Sequence, residues 1–77
     1  MGTTPESLAL GTVIRTLRKR EKLTQEDISF ECGVDRAFLS QIERGKQLPS
    51  ILTLFKLARV LGTTPSSILQ QVEQLLG

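Results

Sequence analysis

Between Gln25 and Gly45, two short stretches of apolar residues at helical spacing are separated only by Gly33-Val34-Asp35, and few backbones accommodate that arrangement. Ile28, Cys32, Val34, Leu39 and Ile42 are apolar at the intervals that close two crossing helices onto each other, and Ser29 is small where they would cross. Thr24 is the expected N-cap of the first helix. Gln25, Glu26 and Asp27 then occupy a first turn whose positive dipole end favours acidic groups. Gly33 ends that helix, because glycine enters the left-handed conformation without steric cost, and Asp35 caps the next. The outer side of the second helix, from about Arg36 to Arg44, keeps polar and cationic groups.

The same punctuation places three more helices, with no linker or repeat between them. Thr4 as cap and Pro5 at the first helical position open helix one, with Leu10, Val13, Ile14 and Leu17 as its inward stripe. Gly11 weakens the early turns, so the start is expected nearer Leu8, with Met1 to Thr3 disordered. Ser50 after Pro49 caps helix four, whose buried face is Ile51, Leu54, Leu57, Ala58 and Leu61, and Gly62 ends it. Thr64 and Pro65 repeat the cap-and-proline signal for helix five, over about residues 65–76. Its apolar positions are Ile68, Leu69, Val72, Leu75 and Leu76. The expectation is a compact all-α domain of five helices spanning residues 1–77.

Composition narrows what such a domain does. Seventy-seven residues, 39% of them apolar, support one small core but not a core plus an enclosed catalytic cleft. The chain has no histidine, no phosphate-cradling glycine loop and no carboxylate pair converging on a pocket, so neither an enzyme nor a bound cofactor is expected. A single cysteine rules out an internal disulfide and a cysteine-based zinc site, and no other metal site is readable; Cys32 at an inward position reads as a small core residue. No apolar run approaches membrane-spanning length and no secretion signal is visible, which points to the cytoplasm. The net charge is only +2, yet Arg15, Arg18, Lys19, Arg20 and Lys22 crowd one segment. They are either a solvated helix end or a source of long-range attraction for DNA.

Two helices joined by a three-residue turn have the helix-turn-helix spacing, in which the first helix crosses the phosphate backbone and the second lies in the major groove. Further motifs agree in order: Ile14-Arg15-x-Leu17-Arg18, Leu23-Thr24-Gln25-Glu26, Gly33-Val34, Leu39-Ser40-x-Ile42-Glu43-x-Gly45, Pro49-Ser50 and Leu57-Ala58-x-x-Leu61-Gly62. From about Leu10 to Leu69 the chain resembles the lambda-repressor-like family, also called Cro/cI or XRE. Within it, Asp35-Arg36-Ala37-Phe38-Leu39-Ser40 is most similar to the recognition segment of restriction-modification controller proteins, which commonly read Asp-Arg-Thr-Tyr-Ile-Ser.

The resemblance implies a recognition helix whose residues have separate tasks. Arg36 is expected to reach O6 and N7 of a guanine, the alternative being a phosphate contact or an ion pair with Asp35 or Glu31. Ala37 faces the groove and offers a methyl to thymine, and it departs from the controller pattern by lacking the threonine hydroxyl. Gln41 is placed to pair with adenine N6 and N7, or else is simply solvated. Phe38 either lies against the DNA backbone, without the tyrosine hydroxyl of relatives, or folds back onto the domain. Thr24, Gln25, Ser40, Arg44 and Lys46 are expected backbone contacts, and in relatives the residue at Gln25 often also braces the start of the recognition helix. Arg18 and Glu43 are expected to form a partly buried ion pair that ties helix one to the end of helix three and does not itself serve DNA.

One recognition helix reads about four to six base pairs, too few for genomic selectivity, so a homodimer on a pseudo-palindromic operator is expected. Its interface is assigned to Leu52, Ile68, Val72, Leu75 and Leu76, more aliphatics than a single domain needs; the alternative is that most of them finish the monomer core, Leu69 and Ile68 more readily than Leu52, Val72 and Leu76. The leading reading is therefore a homodimeric transcription regulator, repressing or activating. Glu26 lies near the position where relatives touch the sigma subunit of RNA polymerase. The alternative is an antitoxin or partner-binding module with the same fold.

Overall fold

The computed structural model describes residues 3–77; Met1 and Gly2, expected to be disordered, lie outside the described residues. Five helices follow in order: α1 (Pro5–Arg20), α2 (Gln25–Cys32), α3 (Arg36–Glu43), α4 (Ile51–Val60) and α5 (Pro65–Leu76). Helix α1 packs on α3 and α5, while α2 packs on α3 and α4, and α4 also meets α5. Ile14, Leu17, Ile28, Leu39, Ile42, Leu57, Leu61 and Ile68 fill the fully buried centre.

Each helix begins at a hydroxyl or carboxylate that accepts from an otherwise unpaired backbone amide. Thr4 and Ser7 bond reciprocally, as do Thr24 and Asp27, so α1 and α2 both start on a capping box. Asp35 accepts from the Ala37 amide, Ser50 from Thr53 and Thr64 from Ser67. Gly33 and Gly45 stop α2 and α3 at φ values of 74° and 77°.

Two expectations for α1 and α4 are overturned. The first helix starts at Pro5, not nearer Leu8, because Gly11 serves a contact instead of loosening the helix. A Cβ at Gly11 would stand 2.5 Å from the carbonyl oxygens of both Ile42 and Glu43, so the missing side chain lets α1 lie directly on the last turn of α3. One turn earlier, the buried Ser7 hydroxyl donates to the Gly45 carbonyl at 2.7 Å. The second revision concerns Ile51, assigned to the buried face of α4 but 70% exposed. It sits in the first turn of that helix, where no other element covers it.

Helix α5 also divides differently from its sequence pattern. Ile68 and Val72 are buried in the monomer's own core, whereas Leu69, Leu75 and Leu76 remain exposed. Ile68, with no accessible surface, therefore cannot meet a partner in the folded monomer, and Val72 offers little. Cys32 is half-buried at the edge of the core, its thiol donating to the Ile28 carbonyl at 3.1 Å.

Candidate nucleic-acid interface

Helix α3 is anchored on one side and open on the other. Leu39 and Ile42 are fully buried, and successive turns of the opposite face carry Arg36, Ala37, Gln41 and Arg44. Arg36, Ala37 and Arg44 are exposed, while Ser40 and Gln41 are half-buried. Thr24 and Lys46 are exposed at the two ends of the motif. Phe38 takes the inward option, half-buried with its ring packed against the core, which leaves only part of it available to a ligand.

The first turn of α2 spans the length of α3. Glu26 reaches its first residue, the carboxylate lying 3.4 Å from the Arg36 guanidinium with both side chains exposed. Of the ion-pair partners considered for Arg36, neither Asp35 nor Glu31 is the one used. Gln25 reaches the other end: its amide nitrogen donates to Glu43 at 3.2 Å. The amide thus braces the end of α3, where the resemblance implied its start.

Glu43 is itself held from behind. Arg18 Nε and Nη2 donate to its two oxygens at 2.6 and 2.9 Å, and Arg18 Nη1 donates to the Leu23 carbonyl at 3.0 Å. The Glu43 side chain is only 4% exposed and that of Arg18 13% exposed. Hydrogen bonding to Glu43, with the pull of the same negative charge, holds the Arg18 guanidinium above its already high ordinary pKa despite the opposing effect of burial. Bidentate geometry of this kind fixes orientation as well as distance. At the α2 cap, hydrogen bonds from the backbone and side chain of Thr24 hold the Asp27 carboxyl below the usual carboxylate value.

Several surface features had not been anticipated. Phe30 is 87% exposed on the outer side of α2, two residues out of phase with the buried Ile28, and that phase difference was the available signal. Leu48 and Phe55 are exposed beside the expected Leu52. Leu10, Leu48, Leu69, Val72 and Leu76 line an apolar groove bordered by Glu6 and Glu73. The basic residues Arg15, Lys19, Arg20 and Lys22 are exposed on and just beyond α1, while Arg18 alone turns inward.

The profile of the HTH_3 family, described as Helix-turn-helix, matches residues 14–68, which contain the whole α2–α3 unit and the Arg18 that pairs with Glu43. The chain belongs to this helix-turn-helix family, of the XRE type. Among its relatives is the control protein C.BamHI of Bacillus amyloliquefaciens, 33% identical over 63 residues that make up 80% of this chain and 78% of that protein. The restriction-modification controller protein C.AhdI from Aeromonas hydrophila superposes with a TM-score of 0.81 at 31% identity, over 84% of this chain and 98% of that one. The biofilm master regulator SinR, solved in complex with DNA, gives a TM-score of 0.74 at 33% identity, over 78% and 97% of the two chains. The two solved structures share the fold of this chain.

Proposed function

We propose that this helix-turn-helix protein is a transcription regulator that binds double-stranded operator DNA as a homodimer, in the manner of a restriction-modification controller. The observation that carries the reading is the two-sided character of α3: an inner side locked by Leu39, Ile42 and the Glu43 ion pair, and an outer side exposed at Arg36, Ala37 and Arg44 with Ser40 and Gln41 half-buried between them. A helix held this way enters a major groove without reorganising. Arg36, Ala37 and Gln41 are the base-reading residues. Thr24, Gln25, Ser40, Arg44 and Lys46, with the exposed edge of the Phe38 ring, hold the phosphate backbone on either side.

The dimer uses the exposed apolar side chains. Leu52, Leu75 and Leu76, joined by Leu48, Phe55 and Leu69, form the contact, whereas Ile68 and Val72 support it from inside the monomer. A domain measuring 32 × 24 × 21 Å is small enough for two copies to present their α3 helices about 34–36 Å apart, one turn of DNA. Such a regulator works in the cytoplasm. When it activates, the exposed α2 face with Glu26 and Phe30 is the surface offered to the polymerase sigma subunit.

Fluorescence anisotropy with random and selected duplexes tests the reading. Arg36→Ala is expected to cost about 1–3 kcal/mol and to relax preference at one base pair per half-site, whereas Lys46→Ala weakens all sequences alike and lowers the salt slope by about one unit. Absence of salt-dependent binding to any duplex would favour a protein-binding module instead.

A further inference from the structure

The ion pair at the end of α3 reaches the proposed DNA surface through Gln25. A carboxylate only accepts hydrogen bonds, and Glu43 already takes two from Arg18. The end of the Gln25 side chain facing Glu43 must therefore be its NH2 group, which donates at 3.2 Å. That choice determines the rest of the amide: one N–H is held by Glu43, and the second has no hydrogen-bond partner among the described residues. Gln25 is half-buried at the start of α2, where the backbone N–H groups of Gln25 and Glu26 precede the first intrahelical bond, that from the Ile28 amide to the Thr24 carbonyl.

We propose that Glu43, fixed by Arg18, is a positioning residue that sets the sense of the Gln25 amide and so presents its free N–H, together with the first-turn amides of α2, to a DNA phosphate. The buried pair thus has a role beyond joining α1 to α3. Without Glu43 the amide is free to turn its carbonyl oxygen outward, where it repels a phosphate. The inference rests on Gln25 being a backbone contact of the proposed regulator.

The experiment combines Gln25→Ala with an apolar replacement of the pair, Arg18→Met with Glu43→Leu, which strands no charge and so favours retention of the fold. Gln25→Ala is expected to weaken binding about tenfold per half-site on cognate and random duplexes alike. The salt slope stays unchanged, because a neutral amide displaces no counterion. The folded Arg18→Met/Glu43→Leu protein shows the same loss, and adding Gln25→Ala to it costs nothing more. A paired replacement that folds and binds like the parent overturns the proposal, as does a Gln25→Ala penalty of equal size in both backgrounds. Nuclear magnetic resonance of the parent chain gives a second measurement if the replacement does not fold. Because rotation about the amide C–N bond is slow, the two Gln25 NH2 protons are read separately. One protected from exchange with solvent, while the other moves when duplex is added, supports the proposal, and two protons that both exchange freely and do not respond to duplex overturn it. If the parent binds no duplex at all, the DNA-binding reading itself has failed, which these outcomes keep separate.

Discussion

Arg36 and Glu26 face each other at 3.4 Å across the turn between α2 and α3, so the proposed base-reading arginine carries a carboxylate partner within its own chain. With both groups exposed, such a pair contributes on the order of 0–1 kcal/mol, weak enough to yield to DNA. Its partner still competes with the proposed guanine contact for the same guanidinium. Glu26→Gln is expected to tighten DNA binding about two- to fivefold at low salt, and the gain should shrink as salt screens the charge. Anisotropy titrations at two ionic strengths measure this. Unchanged or weaker binding at low salt would mean that the carboxylate helps to aim the arginine.

Leu52 is 65% exposed at the start of α4, so changing it should spare the monomer. Under the proposed dimer, Leu52→Lys brings two charges into an apolar contact and weakens dimerisation at least about tenfold. Sedimentation would show a shift toward monomer with helical content retained. A dimer as strong as that of the parent would place the interface elsewhere.

Gly11 meets the carbonyls of Ile42 and Glu43 so closely that a methyl group requires backbone movement. Gly11→Ala should destabilise the fold by about 1–3 kcal/mol, although alanine ordinarily favours a helix. Urea unfolding gives the value, and a stabilised variant would show that α1 is free to slide outward.

The depressed Asp27 carboxyl makes stability depend on acid. Because its folded pKa lies below the ordinary 3.8, the contribution is complete above that value and is lost as pH falls through the folded pKa. Asp27→Asn should therefore be less stable than the parent at neutral pH and no worse once the pH is well below 3.8. Unfolding midpoints at the two conditions make the comparison. A gap that persists in acid would assign the effect to shape instead of charge.

Helix positions were legible because their signals are local. A hydroxyl or carboxylate at Thr4, Thr24, Asp35, Ser50 and Thr64 bonds within its own first turn, and a glycine at position 33 or 45 changes its own backbone. The outer face of α3 was legible for the same reason, since Leu39 and Ile42 establish the phase. Apart from the Arg18–Glu43 pair, which the family resemblance implied and the structure contains, features that depend on the meeting of distant segments were not. Gly11 reads as a weak helical residue until α3 is laid upon it, and Ile51 fits the buried stripe of α4 until its first turn proves uncovered. Val72 and Leu69 are equally apolar, yet only Val72 faces the core. The crossing geometry of α2 and α3 likewise decided that Glu26, and neither Asp35 nor Glu31, would meet Arg36, and that Gln25 would reach Glu43.

The bond from Ser7 to the Gly45 carbonyl fastens the far end of the proposed recognition helix to the opening turn of α1. Trimming residues through Ser7 should therefore blunt the proposed operator binding, although Ser7 itself is buried and offers no side chain to DNA. A variant shortened or fused at that end needs its affinity checked even when its helical content looks intact.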